Sequence, residues 1–231
     1  TASAGTSNFR AGVNAGNSIA SGGNYNVVVG DEAGTAITTG VENTLIGGAA
    51  GDALTTGVEN VAVGYQALSA DTLGTGSVAI GRKALLAQNF TTATTSFNTA
   101  VGIVAGTSIT TGIQNTLIGG IAGDALTDAD ENVAVGYAAL SGDTLGSRST
   151  AIGHAALVAQ NFTTATDSFN TAVGYAAGAA VTTGVNNTLI GGLAGDALTD
   201  ADNNVAVGRS ALSSDTLGSK STAVGRGALG A

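Results

Sequence analysis

The residues that could bind a metal ion lie in the segment GGAAGDAL at residues 47–54, which is echoed at 119–126 and 191–198. The segment is close to the calcium-binding nonapeptide pattern Gly-Gly-x-Gly-x-Asp. Here the second glycine falls one place late, and the motif does not recur every nine residues, so neighbouring aspartates cannot alternate around ions. We therefore predict no cofactor and a solvated turn aspartate at Asp52, with calcium binding as the alternative.

The single histidine, His154, is the other candidate for chemistry. Arg82 and Arg226 occupy the same place in sister repeats, and a position that accepts arginine indicates a surface residue. A Ser-His-Asp arrangement would need a unique, oriented base. The chain has no cysteine, which excludes thiol catalysis and cysteine-ligated zinc. We predict that the protein is not an enzyme and has no catalytic or metal-binding residue.

Seven aromatic side chains are candidates for surface contacts. Three tyrosines each follow a repeated glycine, where a ring could lie along the outside of the fold. Four phenylalanines lie in the segments 87–97 and 159–169. We expect these phenylalanines to attach the longer loops to a neighbouring chain, with a sugar-stacking or receptor contact as the alternative. The seven residues are Tyr65, Tyr137, Tyr175, Phe90, Phe97, Phe162 and Phe169.

These candidates belong to a repeat that begins with Asn or Ser. Its thirteen units start at residues 8, 26, 43, 60, 77, 98, 115, 132, 149, 170, 187, 204 and 221. Three units of 17 residues and one of 21 make a 72-residue block that recurs along the chain. Periods below fifty residues are typical of solenoids. We predict one repeat array over residues 1–231, cut from a longer chain, and number positions below from the first residue of each unit.

Positions two to four of each unit are predicted to form a strand, as in Val61-Ala62-Val63. Side chains alternate between the two faces of a strand, and both faces here are apolar. Strands of that kind are covered on both faces. We expect one face to meet a second strand of its own coil, and the other face, where position three is mostly alanine, to meet another chain.

Position five is glycine in every unit, which predicts a turn or bulge with positive φ or close backbone approach. Asparagine at position one suits the opposite turn, and stacked coils would align the amides into a hydrogen-bonded ladder. The predicted structural glycines are Gly12, Gly30, Gly47, Gly64, Gly81, Gly102, Gly119, Gly136, Gly153, Gly174, Gly191, Gly208 and Gly225.

Composition restricts the possible partners. The 231 residues include 37 glycines, no Pro, Met or Trp, and only seven basic side chains, with a net charge of −9. Seven scattered cations argue against nucleic acid as a partner. The sequence has no run of eighteen apolar residues, so we predict no membrane insertion. Few large side chains are available for a deep core, which favours burial between chains.

The units NVAVGYQAL at 60–68, SVAIGRKAL at 77–85 and NTAVGYAAG at 170–178 resemble the YadA-like head repeats of trimeric autotransporter adhesins. They are still more similar to the related repeats of bacteriophage tail fibres, because the units here are longer than a typical adhesin head repeat. The resemblance covers residues 8–231. It implies a left-handed parallel β-roll, three chains per fibre and a role in attachment to cells.

The leading prediction for function is therefore a shaft segment of an extracellular homotrimeric fibre, on a virion or a bacterial surface, that presents a receptor-binding tip. The alternative is an adhesin head that binds a host receptor or glycan directly. A third hypothesis is an ice-binding solenoid, which would need a continuous threonine row. Threonine pairs occur, but several units interrupt them. The pairs are Thr38-Thr39, Thr55-Thr56, Thr110-Thr111 and Thr182-Thr183.

Overall fold

The computed structural model describes residues 5–230, which form seventeen short strands and no helix. The chain divides into two compact units, Thr1–Gln114 and Asn115–Ala231, which are called the first unit and the second unit below. Each of them contains several of the 17- or 21-residue repeat units. The first unit contains β1 (Phe9–Ala11), β2 (Val27–Val29), β3 (Thr44–Ile46), β4 (Val61–Val63), β5 (Gly74–Thr75), β6 (Val78–Ile80), β7 (Thr94–Thr95) and β8 (Thr99–Val101). The second unit contains β9 (Thr116–Ile118), β10 (Val133–Val135), β11 (Gly146–Ser147), β12 (Thr150–Ile152), β13 (Thr166–Asp167), β14 (Thr171–Val173), β15 (Thr188–Ile190), β16 (Val205–Val207) and β17 (Thr222–Val224).

Each unit is a parallel β-solenoid. The three-residue strands lie in the order β1-β2-β3-β4-β6-β8 in the first unit and β9-β10-β12-β14-β15-β16-β17 in the second. Residues at the same repeat position face each other, as Leu45 pairs with Ala62 and Leu189 with Ala206. Each of these thirteen strands begins one residue after a predicted unit start. The predicted all-β fold of stacked parallel coils is therefore confirmed.

Each of the two 21-residue repeat units adds one small sheet, the first in residues 1–114 and the second in residues 115–231. β5 pairs with β7 through Gly74 opposite Thr94, and β11 pairs with β13 through Gly146 opposite Thr166. In both places the added residues form a parallel two-residue ladder on the preceding coil. The longer units thus pack part of their extra length onto the coil before them.

From the second coil onward, the interior is lined by the middle residue of the three-residue strand, whereas Arg10 of the first coil is exposed. Leu45, Ala62 and Leu117 are fully buried, whereas their neighbours on the strands are partly exposed. The expectation that the alanine-rich face meets another chain is therefore wrong. That face points into its own coil, and the valine and isoleucine side chains point outward. Position three can be as small as alanine because other side chains of the coil fill the interior.

Positions nine and twelve supply that filling, and they compensate each other. In the unit that starts at Asn43, Gly51 leaves room for Leu54, and a Cβ added at Gly51 would lie 2.9 Å from Leu54 Cδ1. In the next unit, position nine is the fully buried Leu68 and position twelve is the polar Asp71. Leu68 has φ +53°, a left-handed conformation that costs about 1–2 kcal/mol. Its burial contributes about 2 kcal/mol, so the two effects roughly offset each other.

The position-five glycines allow successive coils to stack closely. All thirteen have φ between +124° and +147°, a region that side-chain-bearing residues rarely adopt. A Cβ at Gly47 would lie 2.5 Å from the Gly64 carbonyl oxygen, and one at Gly64 would lie 2.6 Å from the Gly81 carbonyl oxygen. Each glycine therefore lets the backbone of the next coil pass directly beside it.

The position-one asparagines form a buried ladder. The Asn43 backbone N–H and Nδ2 both donate to Asn26 Oδ1, over 3.0 and 3.1 Å, and Nδ2 also donates to the Gly57 carbonyl over 2.9 Å. Asn60 repeats both bonds to Asn43 Oδ1. Each carboxamide therefore closes its own coil and holds the adjacent one, which satisfies its buried polar atoms.

At Ser77 the ladder lacks a carboxamide, and a glutamine from the same 21-residue unit supplies one. Gln88 Nε2 donates to Ser77 Oγ over 2.7 Å and to Asp71 Oδ2 over 2.6 Å. Its Oε1 accepts a bond from Asn98 Nδ2 over 2.9 Å. All four residues are fully buried. We call this group the glutamine plug. The second unit has the same plug, formed by Asp143, Ser149, Gln160 and Asn170.

Candidate interaction site

The largest candidate surface is the outward side of the three-residue strands, formed by positions two and four, which we call the outer sheet face. Its isoleucines, all at position four, are 37–40% exposed. Among the described strands, neither position carries a charged residue in any coil. Each unit thus has a regular, uncharged and mostly β-branched surface of valine, isoleucine and threonine. Exposed surfaces rich in apolar side chains mark protein interaction sites. The isoleucines are Ile46 and Ile80 in the first unit, and Ile118, Ile152 and Ile190 in the second.

The pattern of the strands leads us to expect that this face points into its own coil. The sequence nevertheless contains a signal for its outward orientation. In most units, position three is large where position nine is glycine and small where position nine is leucine, as Leu45 accompanies Gly51 and Ala62 accompanies Leu68. Compensating volumes indicate two side chains that share one packed interior. Positions two and four show no such compensation, which is typical of an outward surface.

A second candidate is a column of three exposed rings in the second unit. His154 stacks between Tyr137 and Tyr175, with ring centroids 5.4 Å apart on both sides and interplanar angles of 26° and 22°. The tyrosines are 57% and 61% exposed, and His154 is also exposed. All three follow a position-five glycine, so the parallel stacking of coils brings them into register. Stacked rings present π faces and polar edges that can bind a planar or sugar ligand.

The corresponding tyrosine of the first unit, Tyr65, is also on the surface. Its ring lies over Gly48, where an added Cβ would be 3.4 Å from Tyr65 Cδ2. The side chain is 54% exposed. The next coil has Arg82 at this position, and the described contacts include no ring stack around Tyr65. The first unit therefore presents a single ring where the second presents three.

The four phenylalanines of the longer units have two different roles. Phe90 and Phe162 are only 5% exposed, so the hypothesis that they are surface contacts is wrong for both. They fill the interior next to the glutamine plug, where the Phe90 backbone N–H donates to Asp71 Oδ1. Phe97 and Phe169 are 61% and 52% exposed and remain available for contacts.

Phe169 belongs to a charged cluster of the second unit. The Arg148 guanidinium lies 5.8 Å from the Phe169 ring centroid. Arg148 Nε is 3.2 Å from Glu131 Oε2, and its Nη1 contacts Asp167. The hydrogen bond that Arg148 donates to Glu131 and the charges of both carboxylates raise the pKa of Arg148. In the first unit Gly76 occupies the place of Arg148, and the Phe97 ring lies directly over it.

Asp52, the candidate calcium ligand, has a buried carboxylate oxygen without a hydrogen-bond partner, and Asp124 and Asp196 repeat this feature. Burial raises the pKa of all three carboxyl groups. Among the described residues, no group of three or more His, Cys, Asp or Glu side chains is arranged to hold a metal ion. The motif therefore places a partly buried carboxylate with an unpaired oxygen, rather than the predicted solvated one, at three equivalent turns.

Part of the threonine row that an ice-binding surface would need is engaged in inter-coil hydrogen bonds. The Thr55 hydroxyl donates to the Thr72 carbonyl over 3.0 Å, and the Thr127 hydroxyl donates to the Thr144 carbonyl over the same distance. Elsewhere Asp200 accepts bonds from the hydroxyls of its threonine neighbours, which lower its pKa. These hydroxyl groups hold coils together, whereas the second threonines of the first two pairs, Thr39 and Thr56, are exposed.

The described part of the chain contains no helix that is long and apolar enough to span a membrane. Comparison with protein-family models, with curated proteins and with solved structures finds no match to this chain. Function is therefore inferred from the surfaces described above.

Proposed function

We propose that this chain is a shaft segment of an extracellular homotrimeric fibre, which extends a receptor-binding tip away from a virion or a cell. The observation that supports the proposal is the outer sheet face. It is uncharged in every coil, although the chain carries a net charge of −9. Charged residues are therefore absent from one continuous side of each solenoid unit, as far as the described strands extend.

The physics of parallel sheets supports the same conclusion. Such sheets occur almost only where both faces are covered, and here only the inner face is covered by its own coil. Half-exposed isoleucines such as Ile46 and Ile118 would lose their remaining contact with water in an assembly. Three identical chains around one axis can each bury the same face, because closed rotational symmetry repeats one interface. The left-handed β-roll implied by the family resemblance is part of this proposal.

Mass measurement in solution tests the assembly. Light scattering coupled to size exclusion should give three times the 22.0 kDa of the chain. Replacing Ile118 and Ile152 by Lys should shift the protein towards smaller species, because both charges would be buried in the trimer. Thr164→Lys, at an exposed position outside the strands, is the control and should leave the mass unchanged. A well-folded monomer of the unsubstituted chain would overturn the proposal.

The second candidate function is an adhesin head that binds a host ligand directly. The exposed column of Tyr137, His154 and Tyr175 favours it, because a structural shaft does not require three stacked rings on its surface. The ligand would be a glycan or another group with a flat apolar face, which exposed tyrosine rings can contact.

Cell binding separates these two functions. The purified chain without any tip should not be retained on candidate host cells if it is only a shaft. Retention at nanomolar concentrations, lost in a Tyr137→Ala, Tyr175→Ala variant but preserved in Tyr65→Ala, would establish the adhesin head instead. Circular dichroism of each variant checks that the solenoid is intact.

A further inference from the structure

The sequence Asn-x-Thr is the acceptor motif for N-linked glycosylation. It occurs three times, at Asn89-Phe90-Thr91 and Asn161-Phe162-Thr163 in the 21-residue units and at Asn186-Asn187-Thr188. The first two lie in irregular segments before β7 and β13, whereas the third runs into β15. The motif by itself is common by chance, so its meaning depends on how the fold presents the asparagine and the threonine.

The fold turns both polar side chains of the motif outward. Asn89 and Thr91 are exposed, whereas Phe90 between them is buried. The second unit repeats the arrangement, with Asn161 and Thr163 exposed around a buried phenylalanine. The buried ring therefore fixes the loop so that the acceptor asparagine and the threonine that a transferase must read are on the same, solvent-facing side.

The contacts of Asn89 leave its amide nitrogen available. Its backbone N–H donates to the Thr110 carbonyl over 3.0 Å, and Oδ1 accepts a bond from the Thr72 hydroxyl over 3.1 Å. No hydrogen bond joins Nδ2 to any residue that the structure describes. The equivalent partners of Asn161 are the Thr182 carbonyl and the Thr144 hydroxyl, at the same two distances.

The other asparagines provide a clear contrast. Ladder asparagines such as Asn43 are fully buried and use their Nδ2 in two hydrogen bonds. Asn17 is exposed, but Ile19 stands where the motif needs a hydroxyl residue. Asn186 is exposed, but its motif continues through the buried ladder residue Asn187 to Thr188, which is only partly exposed and is paired in β15. Asn89 and Asn161 combine an available Nδ2 with exposure of both the asparagine and the threonine, outside the strands.

We propose that Asn89 and Asn161 are acceptors for N-linked carbohydrate. In the reaction, Nδ2 attacks the anomeric carbon of an activated sugar, a sugar nucleotide or a lipid-linked pyrophosphoryl sugar. The new N–C bond forms as the bond from that carbon to the donor phosphate breaks. The nucleoside diphosphate or lipid pyrophosphate leaves, and the amide loses one proton. Both acceptors lie outside the strands, so the added sugar does not occupy the outer sheet face.

Peptide mapping by mass spectrometry, on protein purified from the cells that naturally make it, tests the proposal. We expect the peptides that contain Asn89 and Asn161 to carry sugar. The added mass distinguishes the donors, since a single hexose indicates a sugar-nucleotide transferase and a large oligosaccharide indicates transfer from a lipid. Both peptides found without sugar in the folded protein would overturn the proposal.

Variants made in the same cells verify the motif. Thr91→Ala should remove sugar from Asn89 and leave Asn161 modified, whereas Thr91→Ser should retain modification at both residues. Asn17 should carry no sugar in any sample. Sugar that persists on Asn89 in the Thr91→Ala protein would exclude recognition of this motif. The oligomeric mass of each variant is measured separately, so this test and that of the trimer can fail independently.

Discussion

Gln88 occupies the place in the asparagine ladder that Ser77 leaves open, with Nε2 2.7 Å from Ser77 Oγ. Asn98 Nδ2 donates to Gln88 Oε1 over 2.9 Å, as a ladder asparagine would donate to the Oδ1 of the preceding one. The serine and the longer unit therefore occur together for a physical reason. The extra residues of the unit bring in a carboxamide from elsewhere in the coil.

Removing the Gln88 carboxamide should destabilise the first unit. Gln88→Ala leaves Asp71 and Asn98 with buried, unsatisfied polar atoms, and we expect the free energy of unfolding to fall by about 2–4 kcal/mol. Adding Ser77→Asn should restore part of this loss, because the new amide can bond Asn98. Urea unfolding of the single and double variants measures both effects. An unchanged midpoint for Gln88→Ala would contradict a structural role for the plug.

Adjacent glycines should respond in opposite ways to the same substitution. Gly47→Ala forces a Cβ to within 2.5 Å of a backbone oxygen at φ +135°, and we expect a loss of more than about 3 kcal/mol or no folding. Gly48→Ala makes only ordinary contacts, with the Tyr65 ring at 3.4 Å and the Asp31 carbonyl oxygen at 3.9 Å, and should change stability by less than about 1 kcal/mol. Thermal unfolding compares the two, and equal losses would refute the stacking argument.

Stability should depend on pH through Asp52, Asp124 and Asp196. Burial raises their pKa above the ordinary value of 3.8, so the folded state holds these protons more tightly than the unfolded state. Their contribution to stability is therefore fully present below pH 3.8 and is lost as the pH rises through the raised pKa.

The triple variant Asp52→Asn, Asp124→Asn, Asp196→Asn keeps a neutral side chain at every pH. Its advantage in stability over the unsubstituted chain should be small in acid and grow towards pH 7. Denaturant titrations at several pH values measure this difference. A difference that stays constant with pH would show that the carboxyl groups ionise without cost in the folded protein.

Two phenylalanines of one loop should differ in their contribution to stability. Phe90→Ala creates a cavity beside the glutamine plug, and we expect a loss of about 3–5 kcal/mol. Phe97→Ala removes a ring that is 61% exposed and should cost less than about 1 kcal/mol in the isolated chain. Unfolding curves test the pair, with Phe162→Ala and Phe169→Ala as the matched pair of the second unit.

The sequence by itself determined the repeat, the location of every three-residue strand and the all-β solenoid. Those features are local, because the glycine at position five and the asparagine at position one recur with each coil. Residues such as Gly47 and Asn43 can be read for turn and ladder geometry without knowledge of their distant neighbours.

Only the tertiary structure decided which face of each strand is the interior. A strand of three residues has two apolar faces, and their alternation does not say towards which one the following turns carry the chain. That curvature buried Ala62, left Ile46 half exposed, took Phe90 into the core and placed Gln88 beside Ser77. These contacts join residues eleven or more positions apart, or different coils, so the three residues of a strand do not specify them.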